Sequence, residues 1–332
     1  MIDVLVIGAG PCGLSAAVAA TRTGLRTVVI EKGCVTNSIS LYPTYGTFFS
    51  TASKLELGDL PFIISADKPT RREALAYYRR VVSHFDLDVR QYERVLRVDG
   101  EEGAFFVSTR RHTGEEGAYR ARWVVVATGY FDTPNLLGVP GEDLPHVSHY
   151  YREGAPYFEQ DCVVVGGGNS AAEAALDLYR NGARVTLVHF LEGMDDGVKP
   201  WILPDLTNRF ADGSIAPRWS RRVERIEPGR IALTGPGRES EQLAADWVFA
   251  MTGWTPDPVL LREMEVPVDP QTHVPAHDPR TMETERPGVF IAGVIAAGSN
   301  KTFIENGRLH GPVIARALAD RRHGPGRVRS AS

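Results

Sequence analysis

The sequence predicts a three-layer α/β fold containing two Rossmann-like dinucleotide-binding domains, because one pattern occurs in it twice. An apolar strand, a glycine-rich turn and a helix appear at the N-terminus, with Gly8-Ala9-Gly10-Pro11-Cys12-Gly13 as the turn. They return in mid-chain around Gly166-Gly167-Gly168-Asn169-Ser170-Ala171. At 332 residues the chain also has room for two domains of typical size.

Val4 to Ile7 is a purely apolar run of the kind buried in a parallel sheet. The three glycines after it permit a tight turn, close approach to a pyrophosphate and close packing of the next helix. That helix is expected from Pro11 to Arg22, just before Gly24, with its first amides facing an anion. The strand Arg26 to Ile30 ends in Glu31, 18 residues past Gly13, where a carboxylate accepts hydrogen bonds from a ribose. In the second copy Cys162 to Val165 is the strand and Asn169 to Asn181 the helix, closed by Gly182. The strand Arg184 to His189 then ends in His189-Phe190 instead of an acid, so a ribose without a 2′-phosphate is not positively selected there. Glu173, on the first turns of that helix, either faces a nicotinamide or is solvated.

Between the two copies, Val35 to Pro69 is a long segment in which polar residues such as Asn37, Ser38 and Ser50 alternate with aromatics. Loops of that length usually serve a site. Thr70-Arg71-Arg72-Glu73 is a capping box opening a helix to about His84. Val89 to Val98, Ala104 to Thr109 and Tyr119 to Val126 read as strands, with turns near Gly100 and Gly114. A strand from Gly288 to Ala292 and a helix from Lys301 to Ala319 complete the chain.

An apolar content of 43% and a charged content of 23% are ordinary for a globular protein. No apolar run approaches the length of a bilayer span, and the first strand leaves no room for a signal peptide, so no membrane association and a cytoplasmic location are expected. A net charge of -4 argues against nucleic acid as a partner. The stretch 321–332 is basic and broken by Gly324, Pro325 and Gly326, which reads as a solvated, disordered tail. Three cysteines, Cys12, Cys34 and Cys162, form neither a C-x-x-C pair nor a metal-ligand spacing, so no metal is expected. A cytosolic setting keeps them reduced, and Cys162 reads as a small core residue.

More specific than either glycine turn are Val139-Pro140-Gly141-Glu142-Asp143-Leu144-Pro145 with Val147-Ser148-His149-Tyr150-Tyr151, Lys199-Pro200-Trp201-Ile202-Leu203-Pro204, and Phe303-Ile304-Glu305-Asn306-Gly307 with His310-Gly311. On these motifs the chain resembles, over nearly its whole length, the low-molecular-weight thioredoxin-reductase-like flavoproteins, and within them the YpdA-type bacillithiol disulfide reductases. The resemblance implies FAD, NADPH, reduction of a small-molecule disulfide to thiols, and a homo-oligomer, either dimer or tetramer. In such proteins Ala127-Thr128-Gly129 and Thr252-Gly253 mark domain crossings. The implied layout is a discontinuous FAD domain, 1–129 and 254–320, with an NAD(P)H domain, 130–253, inserted into it. The implied flavin site draws on Gly8, Gly10, Pro11, Cys12, Gly13, Glu31, Lys32, Asn37, Ser38, Ser50, Val95, Ala127, Thr128, Gly129, Gly293, Lys301 and Thr302. The implied NAD(P)H site draws on Gly166, Gly168, Asn169, Ser170, Ala171, Glu173, His189, Phe190, Lys199, Thr252 and Gly253.

Departures from that family pattern carry information as well. No C-x-x-C lies between Ala155 and Met251, which excludes direct dithiol exchange with thioredoxin. Where thioredoxin reductases have an arginine-rich run, this chain has His189-Phe190-Leu191-Glu192, so NADH is not excluded, and Lys199, Arg221 and Arg222 are the cations left to meet a 2′-phosphate. Gly293-Val294 stands where that family has Gly-Asp, so either Ser299, Asn300 or Lys301 substitutes or FAD is held more loosely.

Cys12 reads in two ways. As a catalytic thiol it attacks the disulfide and forms a mixed disulfide, favoured by its place at a helix start and opposed by the neighbouring pyrophosphate. As a packing residue it merely fills a place where alanine is common. His149, Tyr150 and His310 are candidates for proton delivery, with hinge or packing roles as the alternative. Three other function classes share the scaffold: a ferredoxin- or flavodoxin-NADP reductase, a flavin monooxygenase, for which the Phe-x-Gly before the histidine is missing, and a nucleotide-binding redox sensor.

Overall fold

A computed structural model describes residues 1–237, 239–300 and 302–322. The chain forms two compact units. The first holds Met1–Ser40, Gly46–Thr133 and the described residues from Thr255 on; the second holds Leu41–Tyr45 and Pro134–Trp254. Nothing in the sequence sets residues 41–45 apart from their neighbours. They join the second unit because Thr44 N–H donates to Arg152 C=O (2.9 Å) and the Tyr45 hydroxyl donates to Glu173 C=O (3.2 Å).

In chain order the first unit opens with β1 (Ile2–Ile7), α1 (Pro11–Arg22) and β2 (Thr27–Ile30). It continues with α2 (Arg71–His84), β3 (Asp88–Arg90), β4 (Glu93–Asp99), β5 (Phe105–Arg111) and β6 (Glu116–Val126). β1 lies between β2 and β6, parallel to both, with Val4 opposite Thr27 and Trp123. Strands buried on both faces need continuous apolar runs, which is why β1 carries no alternation. α2 starts at the expected capping box: Thr70 N–H donates to Glu73 Oε2 and Glu73 N–H to Thr70 Oγ1. The single strand expected over 89–98 is two. β3 pairs in parallel with β2 and β4 antiparallel with β5, so the chain must turn at Gln91-Tyr92, where Tyr92 takes φ 57°.

The second unit contains β7 (Val147–Ser148), β8 (Asp161–Val165), α3 (Asn169–Arg180), β9 (Arg184–Val188), α4 (Leu203–Ala211) and β10 (Ile215–Arg218). After them come β11 (Arg222–Glu227), β12 (Gly229–Thr234), β13 (Ser240–Ala245) and β14 (Trp247–Ala250). Its parallel sheet runs β10-β9-β8-β14-β7. Alternate residues of each strand serve opposite faces. Val164, Val185 and Leu187 pack with Ala171, Ala175 and Leu178 of α3, while Val163, Val165 and Val188 pack with Val223, Ile231 and Leu233 of the antiparallel sheet β11-β12-β13. Three layers follow from that alternation.

The chain returns to the first unit through β15 (His277–Asp278), β16 (Glu283–Thr284), β17 (Val289–Ile291) and α5 (His310–Arg322). Among the described residues the first unit's sheet has nine strands, with the path β15-β16-β17-β6-β1-β2-β3 and the β4-β5-β6 meander beside it. The last helix is not the single element expected over 301–319. One helical turn spans Ile304–Gly307, and α5 begins only at His310, because Pro312 has no N–H and fits only a first turn. α5 also runs past 321, where the tail was expected to begin; Arg321 Nη1 donates to Glu102 Oε1 and Glu283 Oε1, each at 2.8 Å. The rest of the expected tail lies outside the described residues. No helix among those residues is long and apolar enough to cross a membrane.

Two candidate dinucleotide cradles and the Cys12 turn

The first cradle is built from backbone. A Cβ on Gly13 would lie 2.0 Å from the Gly8 carbonyl oxygen, and one on Gly8 (φ +107°) 2.6 Å from that of Ala127, so both glycines are required by the turn itself. Gly10 differs, since a Cβ there meets nothing within 4 Å. The second glycine therefore opens onto space at the start of α1, whose first turn has Pro11 at its head, no acidic residue and no side-chain cap. Its amides are left to bind an anion.

Glu31, 6% exposed, braces this turn: Oε2 accepts from Ala9 N–H and Oε1 from Gly33 N–H, both at 2.8 Å. Half of the carboxylate's acceptor sites remain for a ribose hydroxyl. Burial pushes the Glu31 carboxyl above its usual range. A glycine opening, free helix amides and a braced acid fit the pyrophosphate and ribose of a flavin dinucleotide.

The other expected flavin-site residues are spread around the first unit. Lys32 Nζ pairs with Asp132 Oδ2 at 2.6 Å. Asn37 heads a one-turn helix over Asn37–Ser40 and packs against Gly33; Ser38 is half-buried and Ser50 buried. Val95 sits at a bulge of β4. Ala127 N–H donates to Ile7 C=O, and Gly129 takes φ +72°. Thr302 is half-buried, and Lys301 lies outside the described residues. Ser299 Oγ is engaged with His273 Nδ1 at 2.9 Å.

Cys12, 8% exposed, points its thiol at a second turn. Cβ atoms on Gly293 and Gly307 would fall 2.9 and 2.8 Å from Sγ, so two glycines wall the sulfur, which accepts a hydrogen bond from Val294 N–H. The sequence marks Gly307 only as part of a motif; a Cβ there would also fall 2.7 Å from Gly293 Cα, so close approach to both that backbone and Cys12 explains why it is glycine. Burial pushes the Cys12 thiol up to about 12, with the Val294 bond pulling the other way. The helix start and the pyrophosphate are the two opposing influences read from the sequence; a third, desolvation of the charged form, outweighs the helix field here. Gly293 N–H also donates to His310 Nδ1 at 3.1 Å, which puts the proton of the neutral ring on Nε2. Burial, and then His277, hold His310 below the usual histidine range. Cys12 and His310 thus flank one turn. His149 belongs to the second unit, with Nε2 3.3 Å from Glu142 Oε1, and Tyr150 packs on Trp254 at 4.7 Å.

The second cradle repeats the first. A Cβ on Gly166 (φ +143°) would approach Met251 O to 2.4 Å, while Gly168, at the head of α3, has only Asp195 Oδ2 at 3.4 Å. α3 again has no acid in its first turn and no side-chain cap. His189 is 4% exposed and lies under the middle glycine: a Cβ on Gly167 would fall 2.3 Å from its Nε2. Asn169 pins the following loop, accepting from Lys199 N–H (2.7 Å) and donating to Gly197 C=O (2.9 Å). Ser170 is exposed and Ala171 buried. Lys199 Nζ binds Glu173 Oε1 at 2.5 Å, and Lys199 is 8% exposed. Glu173 and Lys199, each read from the sequence with its role open, are thus paired with one another. Thr252 Oγ1 donates to Asn135 O (2.5 Å) and Asn135 N–H to Gly253 O (3.0 Å), joining the two connecting segments. Asn135 and Asp195 escaped the sequence reading, since neither falls in a recognisable spacing.

The family model described as pyridine nucleotide-disulphide oxidoreductase matches residues 5–293. The bacilliredoxin reductase Bdr of Bacillus subtilis is 45% identical over 320 residues, 96% of this chain and 97% of that protein. This chain belongs to the pyridine nucleotide-disulphide oxidoreductases, in the Bdr branch. It superposes on the bacillithiol disulfide reductase Bdr (YpdA) of Bacillus cereus with a TM-score of 0.93 at 45% identity, covering 96% of this chain and 98% of that one. The Staphylococcus aureus counterpart gives 0.91 at 41% identity with the same coverage. As a pyridine nucleotide-disulphide oxidoreductase the chain is an enzyme, and membership implies a flavin and a pyridine nucleotide. All three of its cysteines are free thiols: Cys34 is half-buried with Sγ 3.8 Å from Asn37 Oδ1, and Cys162 is enclosed in β8.

Proposed function

We propose that this chain is an FAD-dependent reductase that takes electrons from NAD(P)H and delivers them to a low-molecular-weight disulfide such as bacillithiol disulfide. The observation that carries the reading is the pair of open glycine cradles, one per unit, each at the head of a helix with unsatisfied amides. Two cradles suit two dinucleotides in series. The names of the Bacillus cereus and Staphylococcus aureus relatives, bacillithiol disulfide reductases, supply the acceptor class, while that of the Bacillus subtilis relative names bacilliredoxin.

Bound FAD supplies a two-electron carrier between hydride donor and disulfide. In the first unit the turn from Gly8 to Gly13 binds the pyrophosphate, and Glu31 accepts from the ribose. In the second unit the turn from Gly166 to Ala171 binds the nicotinamide dinucleotide. Cys12 is the cysteine on the first cradle, and thiol exchange with the acceptor is assigned to its Sγ. Val294 N–H is aimed at that sulfur and stabilises negative charge on it. His310 holds its proton on Nε2 beside the same turn and supplies one proton to a departing thiolate. One hydride and one proton convert RSSR into two RSH.

Anaerobic stopped flow tests the reading. NADPH or NADH should bleach the flavin band, and bacillithiol disulfide should restore it; ferredoxin or flavodoxin restoring it in place of the disulfide would establish the other reductase class. Cys12→Ala should still bind and reduce flavin but lose reoxidation by disulfide, and full reoxidation in that variant would remove Cys12 from the mechanism.

A further inference from the structure

The first unit carries a charged pair in a place where the sheet itself has no use for one. β1 lies between β2 and β6 and runs parallel to both, with Ile7 opposite Ile30 and Val126, so the three strands end on one rim. Neighbouring strands are about 4.8 Å apart, which sets the ends of β2 and β6 roughly 10 Å from one another with the end of β1 between them. Lys32 follows the end of β2, and Asp132 follows the end of β6 beyond a turn at Gly129, whose φ is +72°. Their side chains nonetheless meet, Lys32 Nζ lying 2.6 Å from Asp132 Oδ2. The pair thus spans the end of β1, from which the turn of Gly8 to Gly13 departs.

Packing of the sheet does not account for this contact. β2 and β6 are not neighbours, so it is no cross-strand pair, and the parallel ladders already tie both strands to β1. Local charge does not account for it either. Glu31, adjacent to Lys32 in sequence, has its two oxygens engaged by Ala9 N–H and Gly33 N–H. Among the described residues Lys32 and Asp132 make ion pairs only with each other, at side-chain exposures of 32% and 27%.

A second observation puts the pair at the ligand side of the cradle. Burial raises the Glu31 carboxyl and the amides of Ala9 and Gly33 lower it; Lys32 and Asp132 then act on it in opposite directions, which places both charges beside the carboxylate that accepts from a ribose. On the same rim the cradle is open, since a Cβ on Gly10 meets no protein atom within 4 Å.

We infer that the Lys32–Asp132 pair is a clasp across the mouth of the first cradle, which must open for FAD to enter or leave. The inference rests on the proposal that this cradle binds FAD. A bond that has to open before passage in either direction slows both directions, so it governs rates more than affinity. A fully exposed ion pair contributes little and an enclosed charged hydrogen bond more than about 10-fold, so this half-buried one should slow passage roughly 5- to 30-fold.

Stopped-flow binding of FAD to the apoprotein, and release of FAD from the holoenzyme into activated charcoal, measure the two rates. Lys32→Gln and Asp132→Asn should each bind and release FAD roughly 5- to 30-fold faster than wild type, with Kd changed by less than about threefold. The double variant should be no faster than either single one, because one substitution already removes the clasp. In about 1 M NaCl wild type should approach the variants. Wild-type rates in Asp132→Asn, or a double variant whose acceleration is the product of the two single effects, would overturn the inference. So would a Lys32→Gln variant in which release alone quickens and affinity falls in proportion, since a lysine bonded directly to FAD behaves that way. Each of these results leaves the flavin site standing, whereas a wild-type apoprotein that takes up no FAD would overturn that reading and the clasp together.

Discussion

Gly10→Ala separates what the first glycine turn does for the fold from what it does for a ligand. Gly10 has φ -69° and ψ 171°, which alanine adopts without strain, and its added methyl group meets no protein atom within 4 Å. Two small effects act on the apoprotein. A less flexible unfolded chain stabilises by about 0.4–1 kcal/mol, and alanine at a helix N-cap costs a similar amount. The apoprotein should therefore keep its stability to within about 1 kcal/mol, a shift of no more than about 4 °C in Tm. Ligand binding should respond differently, because the methyl group occupies the space a pyrophosphate needs. Losing one charge-assisted hydrogen bond costs about 1.5–3 kcal/mol and overpacking adds about 1–3. Flavin affinity should fall roughly 10²- to 10⁴-fold. Gly13→Ala is the control: its Cβ would lie 2.0 Å from the Gly8 carbonyl oxygen, so the backbone must move and stability and flavin should be lost together. Titrating apoprotein with FAD, followed by flavin fluorescence, together with thermal melts would measure both quantities. Unchanged FAD affinity in Gly10→Ala, or an apoprotein melting as low as Gly13→Ala, would refute the division of roles among the three glycines.

Two further outcomes follow from buried groups. With the Cys12 thiol pushed up to about 12, its thiolate is about one part in 10⁵ at pH 7, so alkylation of the apoprotein by iodoacetamide should rise nearly tenfold per pH unit up to pH 11. Peptide mass spectrometry on Cys12 would check this, and a plateau reached near pH 8 would mean the sulfur is not enclosed. Lys199→Met should destabilise by about 1–3 kcal/mol, because it leaves the half-enclosed Glu173 carboxylate without its partner, and adding Glu173→Gln should restore most of the loss. Urea denaturation of the two variants would show it; equal stabilities for single and double variants would remove the pair from the energetics.

What could be read in advance was local in sequence. The turn from Gly8 to Gly13 and the one from Gly166 to Ala171 are legible because three constraints, a tight turn, an open approach and close helix packing, each demand glycine at a fixed spacing. The capping box at Thr70 to Glu73 is legible for the same reason, since both partners lie within four residues. The neutralisation of Lys199 by Glu173 was not, because the two are joined only when α3 and the 195–199 loop meet. The excursion of residues 41–45 into the second unit depends on two bonds to distant partners and leaves no trace in composition.

Cys12 shows why a motif states position more reliably than reactivity. A cysteine at a helix start belongs to a class whose thiols are acidified, and the helix start is present here. The field of a helix terminus amounts to about half a charge, effective where the sulfur is otherwise hydrated. Here the sulfur has no such hydration, since Gly293 and Gly307 close on it from residues far along the chain. Removing water from a thiolate costs more than the helix and a single Val294 amide return, so the proton stays. A thiol exchange through Cys12 must therefore begin by opening the contact with Gly293 and Gly307, and enlarging Gly307 should hinder access to the sulfur while also pressing on the Gly293 backbone. Gly307→Ala, whose Cβ would fall 2.8 Å from Sγ, is the direct probe of that opening.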